Sequence, residues 1–253
     1  FALHPRLAPL KRLYSDGTLA IVHGAGSEDD TRSHFEAQDL MEHGGHVAGG
    51  WLGRYLRFRA NGAGPLSAVA IGTKQPEALR GAPASVVLAS VDDFGVPAGF
   101  DTLRGGLQRL YARESDDLGA AGRDTLVALD RLKAMRTTPY RPADGAAYPA
   151  GEFGHGLTQI ARLIKGRAGL EAACIDLDGW DSHFTQNTLM EPLMQSLAEG
   201  LTAFARDLGP DMARTTVVMM TEFGRRLREN ASFGTDHGRG SVMFVLGGDV
   251  KGG

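Results

Sequence analysis

The chain has 253 residues, and its 27 lysines and arginines against 30 aspartates and glutamates give a formal net charge of −3. So small a charge does not favour binding to nucleic acid or to an anionic membrane. Hydrophobic residues at 42% and charged residues at 23% are typical of globular proteins, which excludes disordered and fibrous classes. No apolar run approaches the roughly 18 residues that cross a bilayer, so no membrane span is expected.

Cysteine content and chain ends give two further expectations. Cys174 is the only cysteine, so no internal disulfide is possible and the thiol content does not indicate a compartment. The sequence starts at Phe1 without an initiator methionine and stops at Gly253, just after a strand-like run. We therefore expect residues 1–253 to be a single domain that is trimmed at both ends.

Apolar periodicity predicts helices and strands in alternation, as with Leu7, Leu10 and Leu13 at helical spacing near the start. The predicted helices cover residues 4–16, 50–59, two segments within 101–136, 153–165 and 186–208, and a further helix starts near Thr31 or Ser33. The predicted strands cover residues 19–23, 66–71, 85–89, 172–177, 215–220 and 241–246. Residues 137–151 are rich in proline and glycine and are predicted to form a surface loop.

This alternation favours an α/β fold with a mainly parallel sheet and helices on both faces, a three-layer sandwich. Ligand sites of such sheets form beyond the carboxyl ends of the strands. The segments there, together with one that precedes the last strand, are rich in carboxylates, imidazoles and hydroxyls. They cover residues 27–34, 178–183, 221–226 and 234–238.

Carboxylate oxygen and imidazole nitrogen together suit Zn²⁺, Mn²⁺ or Fe, and the lack of thiolates excludes a structural cysteine site. These residue types therefore favour a catalytic metal site over a structural one. The alternative is that each Asp or His only caps a helix or bonds a turn. Residues 176–181 do not match an EF-hand, because the glycine is misplaced and no bidentate Glu follows. Asp29 stands where a dinucleotide-binding motif has its third glycine, so a dinucleotide cofactor is not expected.

Four ordered motifs resemble a known family: TRSHFEAQ from Thr31, DGWDSH from Asp178, TEFGR from Thr221 and GTDHG from Gly234. They are similar to the bacterial domain-of-unknown-function family 1501, a relative of alkaline phosphatases and sulfatases, and the likeness runs through the whole chain. The resemblance implies an alkaline phosphatase-like fold, one or two divalent ions, Zn or Mn, and a hydroxyl nucleophile. It also implies twin-arginine export and a periplasmic location.

The resemblance implies a set of metal ligands. Asp178 and His183 are similar to an Asp and His pair that holds one metal, and Asp181 replaces or supports one of them. Glu222 corresponds to a strand-end acidic ligand of the other metal, although the usual pattern there is Asp followed by His and this chain has Phe223. His237 resembles a later His ligand, with Asp236 beside it.

The resemblance also implies catalytic residues. Thr31 and Ser33 are both candidates for the nucleophile at a helix N-terminus, while Arg32 and Arg225 are candidates for holding a tetrahedral anion. Thr31 could equally be an N-cap, and the arginines could equally form surface salt bridges. Cys174 lacks the surrounding pattern of sulfatases, so formylglycine chemistry is not expected.

Two functions remain at the level of the sequence. The first is a metal-dependent hydrolase that acts on a small phosphate or sulfate ester. The second is a non-catalytic binding or scaffold protein that keeps the fold with a degraded metal site, which Phe223 favours. The sequence indicates neither a nucleic-acid partner nor an oligomeric state.

Overall fold

A computed structural model describes residues 2–28, 30–59, 64–96 and 99–253. The chain forms two compact units, each with its own sheet and its own hydrophobic core. The first unit comprises Phe1–Ala48, Pro142–Ala161 and Asp176–Gly253, and the second comprises Gly49–Arg141 and Arg162–Ile175.

The helices and strands alternate along much of the chain. The α-helices of the described residues are α1 (Leu10–Ser15), α2 (His34–His43), α3 (Trp51–Phe58), α4 (Phe100–Arg113), α5 (Asp117–Met135), α6 (Glu152–Lys165) and α7 (Gln186–Leu208). The strands are β1 (Leu19–Ala25), β2 (Ala68–Ile71), β3 (Val86–Leu88), β4 (Ala172–Ile175), β5 (Thr216–Met219), β6 (Arg225–Glu229), β7 (Thr235–His237) and β8 (Ser241–Gly247).

The first unit is built on an antiparallel sheet. Its strand order is β1-β8-β5, and both neighbouring pairs are antiparallel. The described residues between β5 and β8 contain no helix that could carry the chain back for a parallel pairing, but instead the two-stranded β6-β7 sheet. The core beside the larger sheet is made by fully buried residues of α1, β1, α7 and β8. These are Leu10, Leu19, Ala198, Leu201 and Leu246.

The second unit contains a parallel sheet with the order β3-β2-β4. Its central strand β2 is almost entirely apolar and buried, as expected for a strand whose two faces are both covered. One core cluster brings Leu66 and Val69 against Leu132 of α5, and a second brings Ala68 and Ala70 against Leu56 of α3.

The structure confirms every strand predicted from the sequence to within about two residues at each end, and α7 matches its prediction at both ends. The charged break after residue 113 separates α4 from α5 as predicted, because the Asp116 side chain caps α5 by accepting from the Gly119 N–H. The β6-β7 pair was not predicted. A single three-layer sandwich over residues 1–253 stays a prediction beside these two units.

Among the described residues, no helix is both long enough and apolar enough to cross a bilayer.

Candidate metal centre

Five side chains that are distant in sequence meet within the first unit. His34 is the first residue of α2, Asp181 and His183 lie in the loop that precedes α7, Glu222 follows β5, and His237 ends β7. The start of one helix, two loops and one short strand therefore supply the groups of the site.

Glycines allow these loops to approach one another closely. A Cβ atom on Gly224 would lie 1.8 Å from the carbonyl oxygen of Gly240, and one on Gly234 would lie 2.3 Å from that of His183. No other residue fits at either position without a backbone shift. The loop that carries His183 and the hairpin that carries His237 are held together in this way.

Three donor atoms at the centre form a nearly equilateral triangle. Asp181 Oδ1 lies 3.0 Å from His183 Nε2 and 3.1 Å from His237 Nε2, and the two Nε2 atoms are 2.9 Å apart. Ligands at about 2.1 Å from a shared ion lie roughly 3.0–3.4 Å from one another, depending on the coordination geometry. The triangle therefore has nearly the size of one face of a metal coordination shell.

His34 adds a donor atom beside Asp181 and His237. Its Nδ1 lies 2.6 Å from Glu222 Oε1 and donates a hydrogen bond to this carboxylate. Its Nε2 is buried, has no hydrogen-bond partner in the described part of the chain, and lies 3.2 Å from Asp181 Oδ2. A protonated ring forms an ion pair with this oxygen, whereas a neutral ring can share a cation with it.

All three imidazoles share one orientation, with Nε2 towards the centre and Nδ1 away from it. Nδ1 of His237 lies 3.3 Å from the carbonyl oxygen of Arg32, whereas Nδ1 of His183 lies 3.9 Å from Asp236 Oδ1, which is too far for a hydrogen bond. Metal-binding histidines usually donate the other ring N–H to a carboxylate or a backbone carbonyl, as His34 does to Glu222. The surroundings of His34 and His237 are thus those of a candidate metal site.

Both central carboxylates stay ionised. Partial burial acts to raise the pKa of Asp181, but the contacts with His237 and Arg225 and the nearby His34 outweigh it and lower the pKa from 3.8 to about 2. Burial likewise acts to raise the pKa of Glu222, and its own backbone N–H together with the His34 and Thr221 side chains lowers it overall. A carboxylate is ionised when it binds a cation or accepts a hydrogen bond from a metal-binding histidine.

Arg225 and Phe223 enclose the centre. Arg225 Nη2 donates to Asp181 Oδ1 at 2.6 Å, and its Nη1 donates to the carbonyl oxygens of Ser182 and Thr235. Arg225 was a candidate for holding an anion. Its guanidinium instead links the loop that contains Asp181 to the β6-β7 hairpin. The Phe223 ring lies 4.8 Å from the His34 ring and 4.7 Å from the His237 ring, centroid to centroid.

The two candidate nucleophiles are in different surroundings. The Thr31 hydroxyl donates to Glu36 Oε2 at 2.6 Å and accepts from the Ser33 N–H at 3.2 Å. Ser33 is the N-cap residue of α2, yet its side chain makes no capping hydrogen bond. Arg32 is exposed, and no hydrogen bond or ion pair of its side chain is found within the described residues.

The remaining predicted ligands lie outside the donor set. Asp178 is exposed and makes no hydrogen bond or ion pair within the described part of the chain, and Asp236 accepts a hydrogen bond from Asn230 at 3.2 Å. Sequence reasoning did not single out His34, although its position beyond β1 was a usable signal. Among the described residues, the triad His34, Asp181 and His237 places one donor atom of each within 4.8 Å of the others.

Comparison with known proteins adds one family. The family described as Protein of unknown function (DUF1501) matches residues 106–253, more than half of the chain. The chain belongs to the DUF1501 family. Searches of curated proteins and of solved structures returned no match. In this DUF1501 chain, Asp181, His183, Glu222 and His237 lie within the matched range, whereas His34 precedes it.

Proposed function

We propose that the protein is a divalent-metal-dependent hydrolase of small phosphate or sulfate esters, with the fold of the alkaline phosphatase and sulfatase relatives. The observation that carries the proposal is the convergence of one donor atom each from His34, Asp181 and His237, with His183 Nε2 in contact with two of them. A periplasmic location belongs to the same proposal and rests on the sequence resemblance alone.

The donor set fits Zn²⁺ or Mn²⁺. Imidazole nitrogen suits zinc, and mixed nitrogen and carboxylate oxygen suits either ion. We assign His34, His237 and Asp181 as the ligands, with His183 beside Asp181 and His237, while Glu222 orients His34 by accepting a hydrogen bond from its Nδ1. When bound, the cation supplies Lewis-acid stabilisation of the negative charge that develops on the ester oxygens.

Thr31 is the favoured nucleophile of the two hydroxyl residues. Its proton has an acceptor in Glu36, and the Ser33 N–H donates to the same hydroxyl oxygen and stabilises negative charge on it. The Thr31 oxygen forms a bond to phosphorus or sulfur while the bond to the leaving alcohol breaks and Glu36 takes the proton. Water then hydrolyses the threonyl ester and restores the hydroxyl. Thr31 also lines a small cavity together with Glu222 and Phe223.

Arg32 is the favoured group for binding the anionic ester. Its backbone carbonyl is tied to the ligand His237, and its side chain is exposed. A guanidinium can donate two parallel hydrogen bonds to a phosphate or sulfate. Arg225 is less suited because its donors are taken by Asp181 and by backbone carbonyls.

One observation favours a second function, a metal-binding protein without turnover. Phe223 stands where the pattern of the relatives has a histidine, and its ring packs against His34 and His237. A centre with an apolar wall can bind a cation and lack the second charge that ester hydrolysis uses in those relatives.

The test measures bound zinc and manganese by elemental analysis and the hydrolysis of aryl phosphate and aryl sulfate esters with and without chelator. We expect bound metal, chelator-sensitive turnover, and a loss of about 1,000-fold or more in kcat for Thr31→Ala but not for Thr31→Ser. Ser33→Ala tests the other hydroxyl, and loss of turnover there alone would reverse the assignment. Metal-bound protein without turnover supports the second function, and metal-free protein contradicts both.

A further inference from the structure

We propose that this centre binds a single divalent ion and that Phe223 prevents a second ion from binding beside it. The inference rests on the metal site of the proposed function and deepens it, because the resemblance alone leaves one or two ions open.

The number of inward donor groups matches one ion. His34 and His237 each present one ring nitrogen, and Asp181 presents its carboxylate, so three groups lie within 4.8 Å of one another. These three groups hold one ion and leave at least one place for water or substrate, while His183 lies beside Asp181 and His237 but outside this group. Two ions about 3.5–4 Å apart would need several further donors of their own.

The neighbouring carboxylates are not available as those donors. Glu222 accepts from His34 Nδ1 through one oxygen and from the Thr221 hydroxyl through the other. Asp236 is engaged by the Asn230 amide, and Asp178 has no contact with the cluster among the described residues. The acidic residues around the centre therefore orient histidines or lie apart from it.

Phe223 occupies the position where a further ligand is needed. Its ring contacts the rings of both His34 and His237, with centroid distances of 4.8 and 4.7 Å. A phenyl ring offers no lone pair to a cation that already has better ligands, and it excludes water from one side of the two imidazoles. An ion at this side would lack both protein and water ligands.

A single ion changes how the ester anion must be held. A pair of ions can stabilise the negative charge on both the attacking and the leaving oxygen, whereas a single ion cannot contact both. The second positive charge then has to come from a side chain, and the exposed Arg32 beside the centre carries one. The chemistry that fits is recognition of a monoanionic or dianionic tetrahedral ester by one cation and one guanidinium.

The test is the stoichiometry of Mn²⁺ and Zn²⁺ on the full chain, by elemental analysis after dialysis and by electron paramagnetic resonance of the Mn²⁺ form. We expect one equivalent per chain, with the spectrum of an isolated ion, in the wild type and in Phe223→Leu and Asp178→Asn. We expect its loss in His237→Ala. Phe223→His should add a second, weaker equivalent.

The outcomes separate this inference from the proposed function. Two equivalents in the wild type, with the spectrum of a spin-coupled pair, overturn the single-ion centre and leave the hydrolase proposal intact. A folded Phe223→His protein that still binds only one equivalent overturns the role of the ring. Protein that binds neither metal overturns the single-ion centre together with the metal site on which the function depends.

Discussion

Two carboxylates of the first unit, Asp207 and Asp181, differ in how the chain satisfies them. Asp207 is 1% exposed, and its two oxygens accept hydrogen bonds from the Ala143 N–H and the Tyr148 hydroxyl, both at 2.8 Å. Asp181 instead faces the Nε2 atoms of three histidines, at 3.0–3.2 Å, and the Arg225 guanidinium at 2.6 Å. The fold completes the first carboxylate with two neutral donors, whereas the second is half exposed and is shared by the Arg225 guanidinium and three imidazoles.

The difference separates a structural role from a functional one. A buried carboxylate with a donor on each oxygen stabilises the fold, here by fixing the proline-rich loop against α7. A half-exposed, ionised carboxylate among imidazole nitrogens has instead the ligand types that bind a cation. The contrast predicts that substitutions around Asp181 change the metal affinity. Substitutions at Asp207 should change the free energy of unfolding and leave the metal affinity unchanged.

The largest expected effect is on metal binding. His34→Ala should weaken Zn²⁺ or Mn²⁺ binding by about 100-fold or more, because one ligand is lost and Glu222 is left without its partner. Isothermal titration of chelator-treated protein measures it. Wild-type protein at 100 Kd of metal should gain about 2.7 kcal/mol of stability, and the variant much less. Equal affinity in the two proteins would contradict the assignment of His34.

The sequence identified much of the fold and most of the centre, for reasons that particular residues make clear. Helix α7 has an apolar face that repeats over 23 residues, so the apolar periodicity of the sequence was enough to predict where the helix begins and ends. Strand β6 reads RRLRE, which lacks apolar alternation, and its pairing with β7 depends on tertiary contacts instead.

The choice between neighbouring ligands was beyond sequence reasoning. Asp178 and Asp181 are three residues apart, and only the backbone path through Gly179, with φ of 96°, directs one of them to the centre. His34 was part of a recognised motif, but its role depends on the contact with Glu222, which lies 188 residues further along the chain. Spacing rules cannot reveal such a long-range pairing.

The second prediction tests the structural side of the comparison. Asp207→Ala should lower the free energy of unfolding by about 3 kcal/mol, since the Ala143 N–H and the Tyr148 hydroxyl lose their acceptor in a buried place. Tyr148→Phe removes only one of the two bonds and should cost about 1 kcal/mol. Urea denaturation measures both.

Metal affinity of these two variants is the matched control. It should equal that of the wild type, because neither residue contacts the cluster in the described structure. A loss of metal binding by the folded Asp207→Ala protein would show that the two carboxylates are coupled, and the contrast between them would fail.

The smallest expected effect concerns Glu222, which the sequence predicted as a ligand and the geometry supports as an orienting group. Glu222→Gln keeps an oxygen that accepts the His34 Nδ1 proton but removes the charge, so metal affinity should fall only about tenfold, or roughly 1.4 kcal/mol. The stoichiometry should stay at one ion. A glutamine in place of a true ligand would cost as much as His34→Ala, so the ratio of the two losses decides whether Glu222 binds the ion or positions the imidazole that does.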